Sequence, residues 1–243
     1  MTEAHSADRG EELGRGLARV RARIDRACAL AGRDPAEVTL IAVTKFFPAS
    51  DIDLLAELGV RAIGENRDQE AGPKVARVGR RDEVEVHFIG QLQTNKAASV
   101  ARYADVVQSV DRSRLIRALD QAATATGRRL SVLIQVSLDH RPDTQGRQGR
   151  GGVGLASLSA LADEAADSES LDLRGVMAVA PLGADPGPAF ARLEEASHGI
   201  RDRHPGATWI SAGMSADLEA ALEHGATHLR VGSAILGTRP SLR

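Results

Sequence analysis

Apolar positions along the chain recur at two different periods. Near the start, Leu13, Leu17, Val20, Ile24 and Cys28 fall three or four residues apart, the spacing of one face of an amphipathic helix. Gly32 and Pro35 then stop that helix. Beyond them, the β-branched run Val38–Thr44 predicts a buried strand, and further strand-like runs lie at Arg61–Gly64, Val84–Ile89, Asp105–Ser109, Ser131–Ser137, Leu173–Ala178, Thr208–Ser211 and His228–Val231. Helix-like stretches lie between most of them, at Ser50–Leu58, Arg112–Thr124, Leu155–Ala166, Pro188–Arg203 and Ala216–Glu223. Strands alternating with helices in a chain of 243 residues predict an α/β fold, a single closed (β/α)8 TIM barrel with an additional N-terminal helix. An open doubly wound sheet is the main rival. No second domain boundary interrupts the rhythm, so residues 1–10 read as a flexible N-terminus and 11–243 as one domain.

One segment has no apolar period. Residues 139–154, rich in Gly and Arg, read as a mobile loop after the fifth strand. Its glycines lack the strand-to-helix spacing of a phosphate fingerprint. Composition narrows the function classes further. The 31 basic and 33 acidic side chains nearly cancel, which argues against a broad nucleic-acid or anionic-membrane footprint. Aromatics are too scarce for a stacking platform on single strands. Cys28 is the only cysteine, so neither an intrachain disulfide nor a thiolate metal cage can form, and Cys28 reads as a core residue. No apolar segment has the length of a membrane span, and the expectation is a soluble, cytoplasmic protein.

Candidate chemistry collects at the C-terminal ends of the predicted strands. Lys45 follows the first and Glu65-Asn66 the second; His87, Gly90 and Gln91 flank the third. Met177 falls late in the sixth, Ser211 ends the seventh, and Arg230, Gly232 and Ser233 close the eighth. In a barrel these ends converge on the face that carries active sites. Lys45, beside Phe46-Phe47-Pro48, is either a charge that reaches water or an amine whose pKa falls on partial desolvation, ready to attack a carbonyl. Ser211-Ala212-Gly213-Met214-Ser215 and Val231-Gly232-Ser233 combine hydroxyls with glycine just before a helix, as phosphate loops of this barrel do. Ordinary capping by Ser215 is the plainer reading. Arg230 needs either an acidic partner, such as Glu65, or an unprotonated acceptor.

With these residues in hand, the chain resembles the pyridoxal-phosphate homeostasis protein family, relatives of the barrel domain of alanine racemase. The matching segments are Ala42-Val43-Thr44-Lys45, Ile63-Gly64-Glu65-Asn66-Arg67-Asp68-Gln69-Glu70, His87 to Lys96, Arg174-Gly175-Val176-Met177-Ala178, Ser211 to Glu219 and Leu229 to Gly237. The resemblance implies pyridoxal 5′-phosphate (PLP) as cofactor, held as a Schiff base on Lys45. It implies Asn66 beside the pyridine ring and Arg230 facing the pyridine nitrogen. Ser211, Gly232 and Ser233 would contact the phosphate, with Met214 and Ser215 close by. Ser233 stands where threonine is common in the family, and Arg150 is the candidate for the place of a loop lysine found elsewhere.

The same resemblance implies a role in vitamin B6 homeostasis without established catalysis, with PLP-dependent apoenzymes as conceivable recipients and a monomeric chain. In alanine racemase a second base is a tyrosine from an extra domain and the partner subunit. Here the single tyrosine, Tyr103, precedes the fourth strand and reads as structural. An arginine at the pyridine nitrogen would also weaken the electron sink. The competing readings are a weak PLP-dependent racemase or decarboxylase, and an aldolase or isomerase in which Lys45 attacks the substrate itself.

Overall fold

The computed structural model describes residues 3–139 and 151–238. Eight parallel strands close into a barrel in chain order: β1 (Thr39–Val43), β2 (Ala62–Glu65), β3 (Glu85–Phe88), β4 (Val106–Val110), β5 (Leu130–Gln135), β6 (Leu171–Met177), β7 (Trp209–Ser211) and β8 (His228–Val231). Each predicted strand is in place within two residues at either end, and closure of β8 on β1 removes the open-sheet rival. Helices α1 (Glu3–Leu30), α2 (Ala49–Glu57), α3 (Asp68–Val75), α4 (Ala97–Val100), α5 (Ser113–Thr126), α6 (Leu155–Ala166), α7 (Gly187–Arg203), α8 (Leu218–Glu223) and α9 (Ser233–Leu236) surround it. Among the described residues, no helix is long and apolar enough to cross a membrane.

Local sequence explains these boundaries. The run Thr39-Leu40-Ile41-Ala42-Val43 favours a pleated, buried conformation, and three of its five residues are buried. Helix α5 places Leu115, Ile116 and Leu119 on one buried face and ends at Gly127, whose φ of 64° supplies the left-handed turn. Each fully buried leucine of this kind contributes about 1.5–3 kcal/mol.

The expected flexible N-terminus, 1–10, is helical from Glu3 onward. Its polar face has partners: Arg9 donates to Asp51 Oδ2 of α2 at 2.6 Å and to the carbonyl of Leu236 at 3.1 Å. The apolar face, including Leu13, Leu17, Val20 and Cys28, is buried where α1 packs on α2, α8 and α9. The first and last strand–helix units are thus tied together from outside the barrel.

Three helices were not legible in the sequence. Helix α3 contains Gly72 and Pro73, both poor helix formers, while α4 and α9 are each one turn long. Helix α8 starts at Leu218 rather than Ala216. The Gly/Arg-rich stretch 139–154 is described only at its ends: Val153 returns beside Val136 as a parallel bridge. Arg150 and the rest of 140–150 lie outside the described residues.

Candidate functional site

The alternation of side chains along the strands decides which residues face the barrel interior. A Cβ on Gly64 would meet Ile41 and Val43 side chains at 3.2 and 3.4 Å. Positions 41, 43 and 64 therefore share one face of the sheet, and Lys45 and Asn66 each follow two residues beyond this face, just past the ends of β1 and β2. Register places these ends side by side, with Val43 opposite Gly64 and Ala42 opposite Val231 of β8. Gly232 lies close enough to β1 for its Cβ to meet Val43 at 3.4 Å. The loops carrying Lys45, Asn66, Gly232 and Ser233 thus share one rim. Gly90 presses on this rim from the β3 side: any Cβ there would lie 2.0 Å from the Asn66 carbonyl oxygen.

The opposite parity, Thr44 and Glu65, faces α3. Lys74 of α3, 4% exposed, donates to Thr44 O at 3.0 Å and to Glu65 Oε1 and Glu70 Oε1 at 2.8 Å each. Thr44 Oγ1 donates to Glu65 Oε1 at 2.6 Å, and Glu70 Oε1 accepts from the Phe46 N–H. Phe46 has φ of 72°, a left-handed conformation that costs a bulky L-residue about 1–3 kcal/mol unless its surroundings hold it. Burial raises the pKa of Glu65, and the charge and hydrogen bond of Lys74 oppose that rise. Glu65 is therefore the partner of Lys74 and not of Arg230, as the sequence had allowed.

On the far side, Arg230 is buried among groups of β6 and β7. Its Nη1 donates to Ser211 Oγ at 2.6 Å and its Nη2 to Ala178 O at 2.8 Å. With its oxygen accepting from Arg230, Ser211 gives its only hydroxyl proton to Gln108 Oε1 at 2.7 Å. The Gln108 amide nitrogen must then donate to His87 Nδ1 at 2.8 Å, since an amide NH2 is donor only. That leaves the ring proton of His87 on Nε2, 2.7 Å from Glu85 Oε2. Every direction in the relay follows from Arg230 being a pure donor. Burial lowers the Arg230 pKa to about 10, which still keeps it cationic at neutral pH.

The predicted residues therefore divide into groups. Lys45 and Asn66 are half-buried, and Ser233 is exposed at the start of α9. Met214 is exposed, and its N–H is held by Asp217 Oδ1 at 2.6 Å. Ser215 does not cap α8; it sits in the preceding turn, and its carbonyl accepts from Arg23 at 3.0 Å. Ser211 is fully buried, and its hydroxyl proton goes to Gln108 while its oxygen accepts from Arg230, which leaves no proton for a direct bond to an anion. Gly213, with φ of 87°, allows the β7 loop to lie against Ala221 and Leu229, where a Cβ would come within 2.6 Å. Its carbonyl accepts from the Arg230 N–H at 3.0 Å.

Tyr103 packs in the outer layer, its ring near Gly72 of α3. Sequence reasoning missed Glu70 and Lys74, although their i,i+4 spacing is that of a helical ion pair. It also missed Gln108, a lone amide within the apolar run Val106 to Val110.

The lysines add a constraint of their own, for the chain has only three: Lys45, Lys74 and Lys96. Lys74 spends all three ammonium protons in its buried cluster, and Lys96 lies 3.8 Å from Asp68 Oδ2. Lys45 alone of the three stands just past the C-terminal end of a barrel strand.

Comparison with known proteins bears on this arrangement. The family described as "Alanine racemase, N-terminal domain" matches residues 16–240. A protein of Mycobacterium bovis named pyridoxal phosphate homeostasis protein is 43% identical over 250 residues, covering 96% of this chain and 95% of its own length. One of the same name from Escherichia coli is 36% identical, covering 94% and 97%. The solved structure of PipY from Synechococcus elongatus, with PLP bound, matches with a TM-score of 0.75 and 33% identity, covering 88% of this chain and 99% of that one. With a barrel of matching topology and similarity running through nearly its whole length, this chain belongs to the pyridoxal phosphate homeostasis protein family, within the group defined by the alanine racemase N-terminal domain.

Proposed function

We propose that this chain binds PLP through a Schiff base to Lys45 and serves in PLP homeostasis as a carrier, without amino-acid turnover. The observation that carries the reading is the position of Lys45: two residues past the C-terminal end of β1, on the rim it shares with the β8 loop. When bound, PLP supplies an aldehyde that condenses with an amine, forming a C=N bond and releasing one water. The residues present fit such a group. Gly232 leaves room beside Val43, and Ser233 offers an exposed hydroxyl; Met214 and Ser215, in the loop after β7, would complete the phosphate side. Asn66, held in place by the close approach of Gly90, would lie along the ring.

Arg230 favours a carrier over an enzyme. A permanent cation facing the ring nitrogen keeps that nitrogen unprotonated, which weakens the withdrawal of electrons that carbanion chemistry requires. Tyr103, in the outer layer against α3, is not placed to act as a second base. Delivery of the cofactor to PLP-dependent apoenzymes by a monomeric chain belongs to this reading.

The test pairs binding with turnover. Titration with PLP should give a protein-bound chromophore in the wild type that Lys45→Ala loses, and α-proton exchange in deuterated water should stay at the rate of free PLP. An unchanged chromophore in Lys45→Ala would remove Lys45 from the reading. Exchange far above free PLP would make the protein an enzyme.

A further inference from the structure

The turn that carries Lys45 is held from both sides by one buried cluster. Thr44, just before it, gives its carbonyl to Lys74 and its hydroxyl to Glu65. Phe46, just after it, gives its N–H to Glu70. Lys74 joins the two sides, because the same ammonium binds Thr44 O, Glu65 and Glu70. Phe46 is the one non-glycine residue with positive φ among the described residues. The surroundings that hold it there are visible: the Glu70 carboxylate on its N–H, and the Arg67 guanidinium 5.6 Å from its ring centre.

We infer that Glu70 and Lys74 are positioning residues for Lys45, holding Phe46 in the left-handed conformation that aims the Lys45 side chain into the barrel and so sets the strength of PLP binding. This rests on the reading of Lys45 given above. The physical argument is local. A bulky L-residue relaxes to negative φ when nothing opposes it, and a change of φ at Phe46 redirects the chain next to Lys45. The carboxylate opposes relaxation only while it is fixed, and Lys74 fixes it. Lys74 is itself no candidate for the aldehyde, because each of its three protons already has an acceptor. The cluster therefore acts on the bound group only through the backbone.

The distinguishing experiment is rescue by glycine. PLP affinity is measured by spectral titration for the wild type, Glu70→Ala, Phe46→Gly and the double variant, with thermal midpoints recorded on the same samples without PLP. Glu70→Ala is expected to bind PLP about tenfold more weakly. The double variant should regain most of that loss, since glycine adopts positive φ without help. Glu70→Gln, which keeps an acceptor but loses the ion pair, should fall between. A merely structural role predicts an affinity loss that follows the thermal midpoint and is not restored by Phe46→Gly.

Wild-type affinity in Glu70→Ala, or no rescue in the double variant, overturns the inference. If Glu70→Ala is insoluble, Phe46→Val serves in its place. It leaves Glu70 intact but resists positive φ, so about tenfold weaker binding is expected and unchanged binding overturns the inference. Absence of any Lys45 adduct in the wild type would instead overturn the PLP reading, and this inference with it.

Discussion

The two sides of the barrel mouth bury polar groups by different means. Beside β1 and β2 the cluster is ionic: Lys74 sits between Glu65 and Glu70, and what it fixes is backbone, the turn around Lys45. Beside β7 and β8 the links between the Arg230 cation and the Glu85 carboxylate are neutral. The chain of contacts runs from Arg230 through Ser211 and Gln108 to His87, and what it fixes is the direction of a single guanidinium. An ionic cluster holds strongly but tolerates no missing member, because removing one charge strands another in a low dielectric. A neutral relay loses less when cut, yet its donor and acceptor order is fully determined. Strength thus lies where a strained turn must be held, and direction lies where a cation must be aimed.

The largest effect should come from breaking the ionic side. We predict that Lys74→Met destabilises the fold by about 3–5 kcal/mol, since Glu65 is left buried without its partner; denaturant unfolding measures it, and a loss no larger than that of Gln108→Leu in the relay would put the two sides on equal terms. Cutting the relay with Gln108→Leu should cost about 2–3 kcal/mol, because Ser211 and His87 both lose a partner. It should also leave Lys45 trapping intact, and loss of trapping would show that the two sides are coupled.

The third prediction concerns pH at the base of the barrel, where His228 packs 4.3 Å from the Trp209 ring centre. Burial lowers the His228 pKa to about 3. The unfolded chain therefore binds this proton first, and stability falls as pH drops through the unfolded value of about 6.5 toward 3. Between pH 6.5 and 5 the loss should be about 2 kcal/mol. His228→Gln should flatten that slope, and an unaltered slope would locate the titration elsewhere. The smallest effect is outside the barrel: Arg9→Ala, which releases Asp51 and the Leu236 carbonyl, should cost about 1 kcal/mol with no change in PLP binding.

Much of this architecture was legible in the sequence because burial imposes period on it. The first strand announces itself as a β-branched run and the others as short strand-like stretches between helices, and the convergence of Lys45, Asn66 and the Gly232-Ser233 loop follows once a closed barrel is inferred. What escaped was of two kinds. Helix α3 was hidden by Gly72-Pro73, and with it the Glu70–Lys74 spacing that would have revealed the clamp. Partner choice was also hidden, since Glu65 and Arg230 are both buried charges at strand ends and only side-chain parity separates them. Ser211 shows the same limit: its place at the end of β7 was predictable, but the commitment of its hydroxyl to Gln108 was not.

If one amine among the three lysines captures the aldehyde, borohydride reduction of the PLP-loaded protein followed by peptide mapping will find the pyridoxyl mass on the peptide containing Lys45, with those of Lys74 and Lys96 unmodified. Modification of either of the other two in its place, or of none, would contradict capture by Lys45.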